Sequence, residues 1–342
     1  MPAREDYTIP RRLQTTTGDK RRVGLELEFA GLEFRESIGV VEQVFGRPAQ
    51  TTSQAEGTVK HERWGTFKVE VDHELIKSLA QRRARWRQDA HNRGELRGSP
   101  EHDPVVTWLV NLSTELVPVE VVCPPIDIDS LADLDPLVDG LRAAGALGTS
   151  ESLLYAFGVH INVELPSLEP AVIGRYLRAY AIAQDWLLET HDVDLSRRVT
   201  PFIDLYGARY RRRVAAYDDD VSLTTLLDDY LRFNPTRNRA LDMLPLFRYL
   251  DEERIAGEIS DPRVHARPTF HYRMPNCRIN EPDWRLADDW NTWCVLEAIA
   301  DDGDLLRELC AEYRAYEANL INLGPPPWHR TLTRLRADLV SA

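Results

Sequence analysis

The chain has no run of apolar residues near the roughly 18 to 20 that a bilayer-spanning helix requires. Its first 22 residues carry charges where an export signal needs an apolar stretch. No membrane role is expected, and the expected setting is cytoplasmic. Cysteine is scarce: Cys123, Cys277, Cys294 and Cys310 are the only four, and they form no CxxC pair. A disulfide-dense framework is excluded and no zinc-ribbon spacing is offered, so free, mostly buried thiols are expected. Basic charge is in deficit, with 42 Lys and Arg against 55 Asp and Glu and a formal net charge of −13. That balance disfavours indiscriminate binding to phosphate backbones or anionic membranes, so no nucleic-acid partner is expected. Neither GxxxxGKS/T nor GxGxxG occurs, so neither a phosphate-cradling P-loop nor a dinucleotide fingerprint is present. Internal repeats and low-complexity segments are absent as well.

What the 342 residues do hold is ordinary globular composition, 43% hydrophobic and 28% charged, enough to bury a sizeable core. RVGLELEF (22–29) alternates apolar and acidic side chains with period two, which predicts a strand with Glu26 and Glu28 on one face. Residues 36–45 show helical spacing, and WGTFKVEVD (64–72) alternates again, setting Lys68, Glu70 and Asp72 on one face. A basic insertion at about 77–100 follows, read either as a solvated face or as a captor of phosphate or an acidic partner. Further strands are expected in 108–126 and 152–165, with a helix near 130–147 between them. The second half is mainly helical, at 169–190, 223–233 and 288–322, interrupted by the extended RPTFHYRMP (267–275). The long helices read as core or as a face for homo-oligomerisation. THDVD (190–194) reads as a helix-ending loop, and the whole as one composite α+β domain.

Two carboxylates two residues apart on a rigid strand aim their oxygens at one point, an arrangement able to hold a hard divalent cation. Glu26 and Glu28 alone equally suit a solvated strand face. Glu115 and Glu120 add acids within apolar runs, which are costly to bury unless paired or metal-bound. His160 and Asn162 in GVHINVEL, and His271 and Arg273 in FHYRMP, repeat the period-two placement on two more segments. Arginine suits forked contacts with phosphate.

The ordered set GLELEF, VPVEVVCPP, GVHINVEL and FHYRMPN resembles the amidoligase family, carboxylate-amine ligases related to glutamine synthetase and glutamate-cysteine ligase. The resemblance covers the core from about residue 22 to 280. It implies a curved antiparallel β-sheet with helices on its convex face, and a concave face holding ATP with Mg2+ or Mn2+. A catalytic domain at 21–330 would lie between an N-terminal arm (1–20) and a C-terminal tail (331–342). Carried over by position, Glu26, Glu28, Glu120, His160 and His271 would be metal ligands. Arg273, Asn162 and Glu70 would contact the nucleotide, with Arg273 on the transferred phosphate. Asp72, or Glu70 beside it, would receive a proton from the amine. The sequence departs from the family at His271, where relatives carry glutamate. Imidazole removes a negative charge and prefers softer metals than magnesium. After Asp72, His73 and Glu74 replace the usual small and hydroxyl residues.

The activity implied is ATP-dependent amide formation through an acyl phosphate, joining a carboxylate to an amine carried by a small molecule or a peptide. Peptide modification is the subclass suggested by analogy. Two rivals stay open: a metal-dependent hydrolase using the same acids and histidines, and a non-catalytic binding protein of the same fold.

Overall fold

The computed structural model describes residues 6–71, 118–149, 157–193, 203–319 and 324–341. Asp72, Glu115 and the basic 77–100 segment lie outside the described residues, as does the part of THDVD beyond Val193.

The alternating segments become strands β1 (Arg22–Phe29), β2 (Ala49–Thr51), β3 (Glu56–His61), β4 (Gly65–Val71), β5 (Val119–Val122), β6 (Ile126–Asp127), β7 (Val159–Val163), β8 (Leu241–Asp242) and β9 (His271–Tyr272). They form one sheet in the order β2-β3-β4-β5-β1-β7-β9-β8, with β6 also on β1. Every ladder between these strands is antiparallel. Pro124 and Pro125 cannot donate to a ladder and separate β5 from β6 along the same partner.

Ten α-helices accompany the sheet among the described residues: α1 (Phe34–Phe45), α2 (Asp135–Ala144), α3 (Pro170–Thr190), α4 (Ala208–Val214), α5 (Leu223–Phe233), α6 (Leu244–Leu250), α7 (Glu252–Glu258), α8 (Leu286–Asp301), α9 (Gly303–Ala318) and α10 (Trp328–Ser341). The expected 288–322 helix is two: the Asp302 side chain caps a new start by accepting from the Asp304 and Leu305 amides. The expected 130–147 helix opens as a 3₁₀ segment over Ile128–Leu134 before Pro136 at the first turn of α2.

The antiparallel sheet has one dry face. Leu25, Leu27, Val69, Val121, Val159, Ile161 and Tyr272 are all buried. Helix α1 lies against β3 and β4, where a side chain on Gly57 would collide with Ile38 and Phe34. Helices α3 and α8 cover β9: Tyr180 meets Tyr272 edge-on at 6.4 Å, and Trp293 meets it at 5.2 Å. Helix α3 is buried along most of its length between α8, α9, α10 and α4, which makes it core. All four cysteines are buried and free. No helix among the described residues is long and apolar enough to cross a membrane.

Candidate metal and anion site

Period two sends every second residue of these strands to the other face, and strand register lines those residues up. Glu56, Glu70, Glu120 and Glu28 are successive direct partners across β3, β4, β5 and β1, a row of four glutamates. The next row runs Lys68, Val122, Glu26, His160. Like charges placed directly opposite destabilise a sheet unless a cation intervenes. Lys68 serves the outer half, lying 2.7 Å from Glu70 and 3.4 Å from Glu56.

The inner half carries the densest set of ligand atoms. One donor atom from each of Glu26, His160 and His271 lies within 4.8 Å of the others, and the same holds for Glu28, Glu120 and His160. His160 joins the two clusters. Its Nδ1 donates to Glu26 Oε2 at 2.7 Å, and its Nε2 is 3.4 Å from Glu28 Oε1. Asn162 Nδ2 donates to the second oxygen of Glu26 at 2.9 Å, and the Gly158 amide donates to Glu28 Oε2 at 2.7 Å. Burial works against the charged form of Glu26, but the His160 hydrogen bond outweighs it together with the neighbouring His271 and His160 rings and Arg267, which holds its carboxyl well below the usual range.

His271 is 4% exposed, and burial together with the Arg273 charge pushes its imidazole well below its ordinary value, so the ring is neutral. Arg273 Nη2 donates to Nδ1 at 3.3 Å, while Nε2, 3.8 Å from Glu26 Oε2, has no hydrogen-bond partner. Asn162 Oδ1 is a second buried orphan beside the same carboxylate. Buried polar atoms without partners are costly. Two of them beside carboxylates and imidazoles form a donor set that fits divalent cations.

A cationic corner flanks this set. Arg267 Nη1 is 3.9 Å from Glu26 Oε1. Burial and the charges of Arg273 and Arg263 hold the Arg237 guanidinium below its usual value. Loop 234–240 brings Arg237 there because the Arg273 amide donates to Ala240 O at 2.8 Å, tying the loop to β9. Cations and anions thus meet, largely buried, on the face of the sheet opposite the apolar one, as a site for a metal-bound polyanion requires.

The structure therefore brings Glu26, Glu28, Glu120, His160, Asn162, His271 and Arg273 together. Glu70 is next to Glu120 in the row, yet it is engaged by Lys68. Sequence reasoning missed Asp242, Arg237 and Arg267. Asp242 sits in a two-residue strand, directly opposite His271, and no periodicity extends over two residues. Arg237 belongs to a loop with no pattern at all, and Arg267 opens the extended segment 267–275 without being singled out there.

Residues 19–295 match the family model described as "Putative amidoligase enzyme". No curated protein matches the chain.

Proposed function

The chain belongs to the amidoligase family, and on that premise we propose that it is an ATP-dependent carboxylate-amine ligase working through an acyl phosphate. The observation that carries this reading is the pair of acid–histidine clusters sharing His160, set beside a cationic corner on the face of the sheet opposite the apolar one. The same reading assigns the antiparallel sheet to the curved catalytic fold of glutamine synthetase and glutamate-cysteine ligase.

A carboxylate approaching a polyphosphate meets like-charge repulsion. Divalent cations, Mg2+ or Mn2+, held by Glu26, Glu28, Glu120, His160 and His271 would supply the neutralising charge and orient the phosphates. Glu26 is kept ionised and aimed by His160 and Asn162, and the Gly158 amide aims Glu28. Arg273 and the adjacent Arg237 and Arg267 are donors for oxygens on which charge develops as the phosphoryl group moves. In the second half-reaction the amine attacks the acyl carbon, phosphate leaves, and Asp72 or Glu70 takes the ammonium proton if it stands within hydrogen-bond reach. The acid and amine are small molecules or a peptide terminus, peptide modification being the subclass proposed by analogy.

The test is ADP release by the full chain with ATP and arrays of acids and amines. Release that requires both an acid and an amine, and that drops about a hundredfold or more in Glu28→Gln and Arg273→Gln, is expected. Nucleotide-independent hydrolysis would instead identify a hydrolase. Partner binding without ATP turnover, unchanged by Glu28→Gln, would identify a non-catalytic protein.

A further inference from the structure

His271 brings a neutral ring to a site where the resemblance leads one to expect a carboxylate. The structure holds a counterpart for the missing charge. Asp242 is the direct β8 partner of His271 on β9. It is 1% exposed, with its Oδ1 fixed by the Leu244 amide at 2.9 Å and its Oδ2 turned toward His271 Nδ1 at 3.9 Å. The ring therefore lies between two carboxylates, with Nδ1 toward Asp242 and the orphaned Nε2 toward Glu26. A carboxylate behind one ring nitrogen and an open position before the other is how metal-binding histidines are oriented and made more basic.

We propose that the Glu26–His160–His271 cluster is a transition-metal site, with His271 Nε2 as a ligand oriented by Asp242, and that Glu28 and Glu120 beside it form the harder, magnesium-compatible one, since a neutral imidazole offers one lone pair and His160 can serve only one site at a time. Two imidazoles and one carboxylate suit Mn2+, Fe2+, Co2+ or Zn2+ far better than Mg2+, which favours oxygen. Asp242 and neutral His271 together carry the single negative charge that a glutamate would carry alone. In the metal-free arrangement Arg273 donates to Nδ1, which leaves the ring proton on Nε2. For a cation to bind Nε2, that proton must move to Nδ1, which frees the Nε2 lone pair, and a shift of about 1 Å brings Asp242 within hydrogen-bond range to accept it. Arg273 must then turn from the ring, toward the space an anionic substrate would occupy.

This inference rests on the metal-holding half of the proposed function and not on amide formation, so it is tested without turnover. Chelator-treated full-length protein is titrated with Co2+ and followed by its visible absorption, then challenged with Mg2+ and Zn2+. The wild type is expected to show a histidine-ligated Co2+ spectrum that a hundredfold excess of Mg2+ leaves in place and Zn2+ abolishes. His271→Glu should lower the Co2+ over Mg2+ preference at least tenfold. Asp242→Asn should weaken Co2+ binding about 10- to 100-fold, with circular dichroism confirming that each variant is folded. The proposal is overturned if Mg2+ displaces Co2+ at comparable concentration, or if both variants bind Co2+ like the wild type. Those results, found together with Mg2+-dependent ATP turnover, would leave the ligase reading standing. Selective Co2+ binding without any ATP turnover would do the reverse.

Discussion

Glu28 on β1 and Glu120 on β5 face each other at one register position, the inner pair of a row of four glutamates. Two carboxylates so placed are an electrostatic expense to the empty sheet and an asset once a cation lies between them. Mg2+ at a hundred times its dissociation constant should therefore stabilise the wild type by about 2.7 kcal/mol through linkage. Glu28→Gln and Glu120→Gln should each lose most of that gain. Thermal unfolding with and without Mg2+ checks it, and equal metal-induced shifts in all three proteins would contradict it.

Behind the sheet, Arg21 is fully buried and forms a two-pronged pair with Glu297, at 3.0 and 2.7 Å, which also accepts from Tyr176 OH at 2.5 Å. Removing one member leaves the other charge buried and alone. Arg21→Met should cost about 3–5 kcal/mol, and the double variant Arg21→Met/Glu297→Leu should recover much of it. Urea unfolding of the three proteins measures this, and a double variant no better than the single one would refute the pairing argument.

Asp242 makes a pH prediction. Burial lifts its carboxyl to about 6, opposed by the charges of Arg273, Arg237 and Arg267 and by the Leu244 amide, with neutral His271 facing it. A carboxyl whose pKa is raised on folding stabilises the fold below its unfolded value, and that stability is lost as pH rises through the folded value. Metal-free wild type should thus lose about 2–3 kcal/mol relative to Asp242→Asn between roughly pH 4 and 6. Denaturation at pH 4, 5, 6 and 8 tests the sign. A constant difference between the two proteins would exclude it.

Gly148 has no room for a side chain, since a Cβ there would stand 2.2 Å from Cys277 O and 2.8 Å from Asn280 Oδ1. The same stretch is stitched to the segment after β9 by Thr149 N to Cys277 O at 2.8 Å and Gly148 N to Asn280 Oδ1 at 2.9 Å. Gly148→Ala should cost about 1–3 kcal/mol through backbone displacement. Its unfolding midpoint in urea provides the check, with an unchanged midpoint counting against a rigid contact.

The sequence was most legible where period two was long. GLELEF, FKVEV and VHINV each announced a strand and its polar face, and the candidate ligands on them do meet. β3 escaped notice because Gly57 stands where an apolar residue would have marked the inward face. The glutamate row was invisible for a different reason: register between β3, β4, β5 and β1 is a long-range property, and no local spacing encodes it. Arg21 stands in the basic run KRR, where no local pattern marks it as buried, but its chain position at the entry to β1 turns it inward onto Glu297. Asp242 was hidden by brevity, since a strand of two residues has no period.

The account's central claim is that the Glu26, Glu28, Glu120, His160 and His271 set holds cations that in turn hold a nucleotide. Calorimetric titration of a non-hydrolysable ATP analogue tests it most directly, with Mg2+, with Mn2+ and with chelator, on wild type and Glu28→Gln, each with and without candidate acids. Binding that requires metal and is lost in Glu28→Gln is the predicted result. Binding that survives both chelator and Glu28→Gln, or no binding under any of these conditions, would contradict the claim.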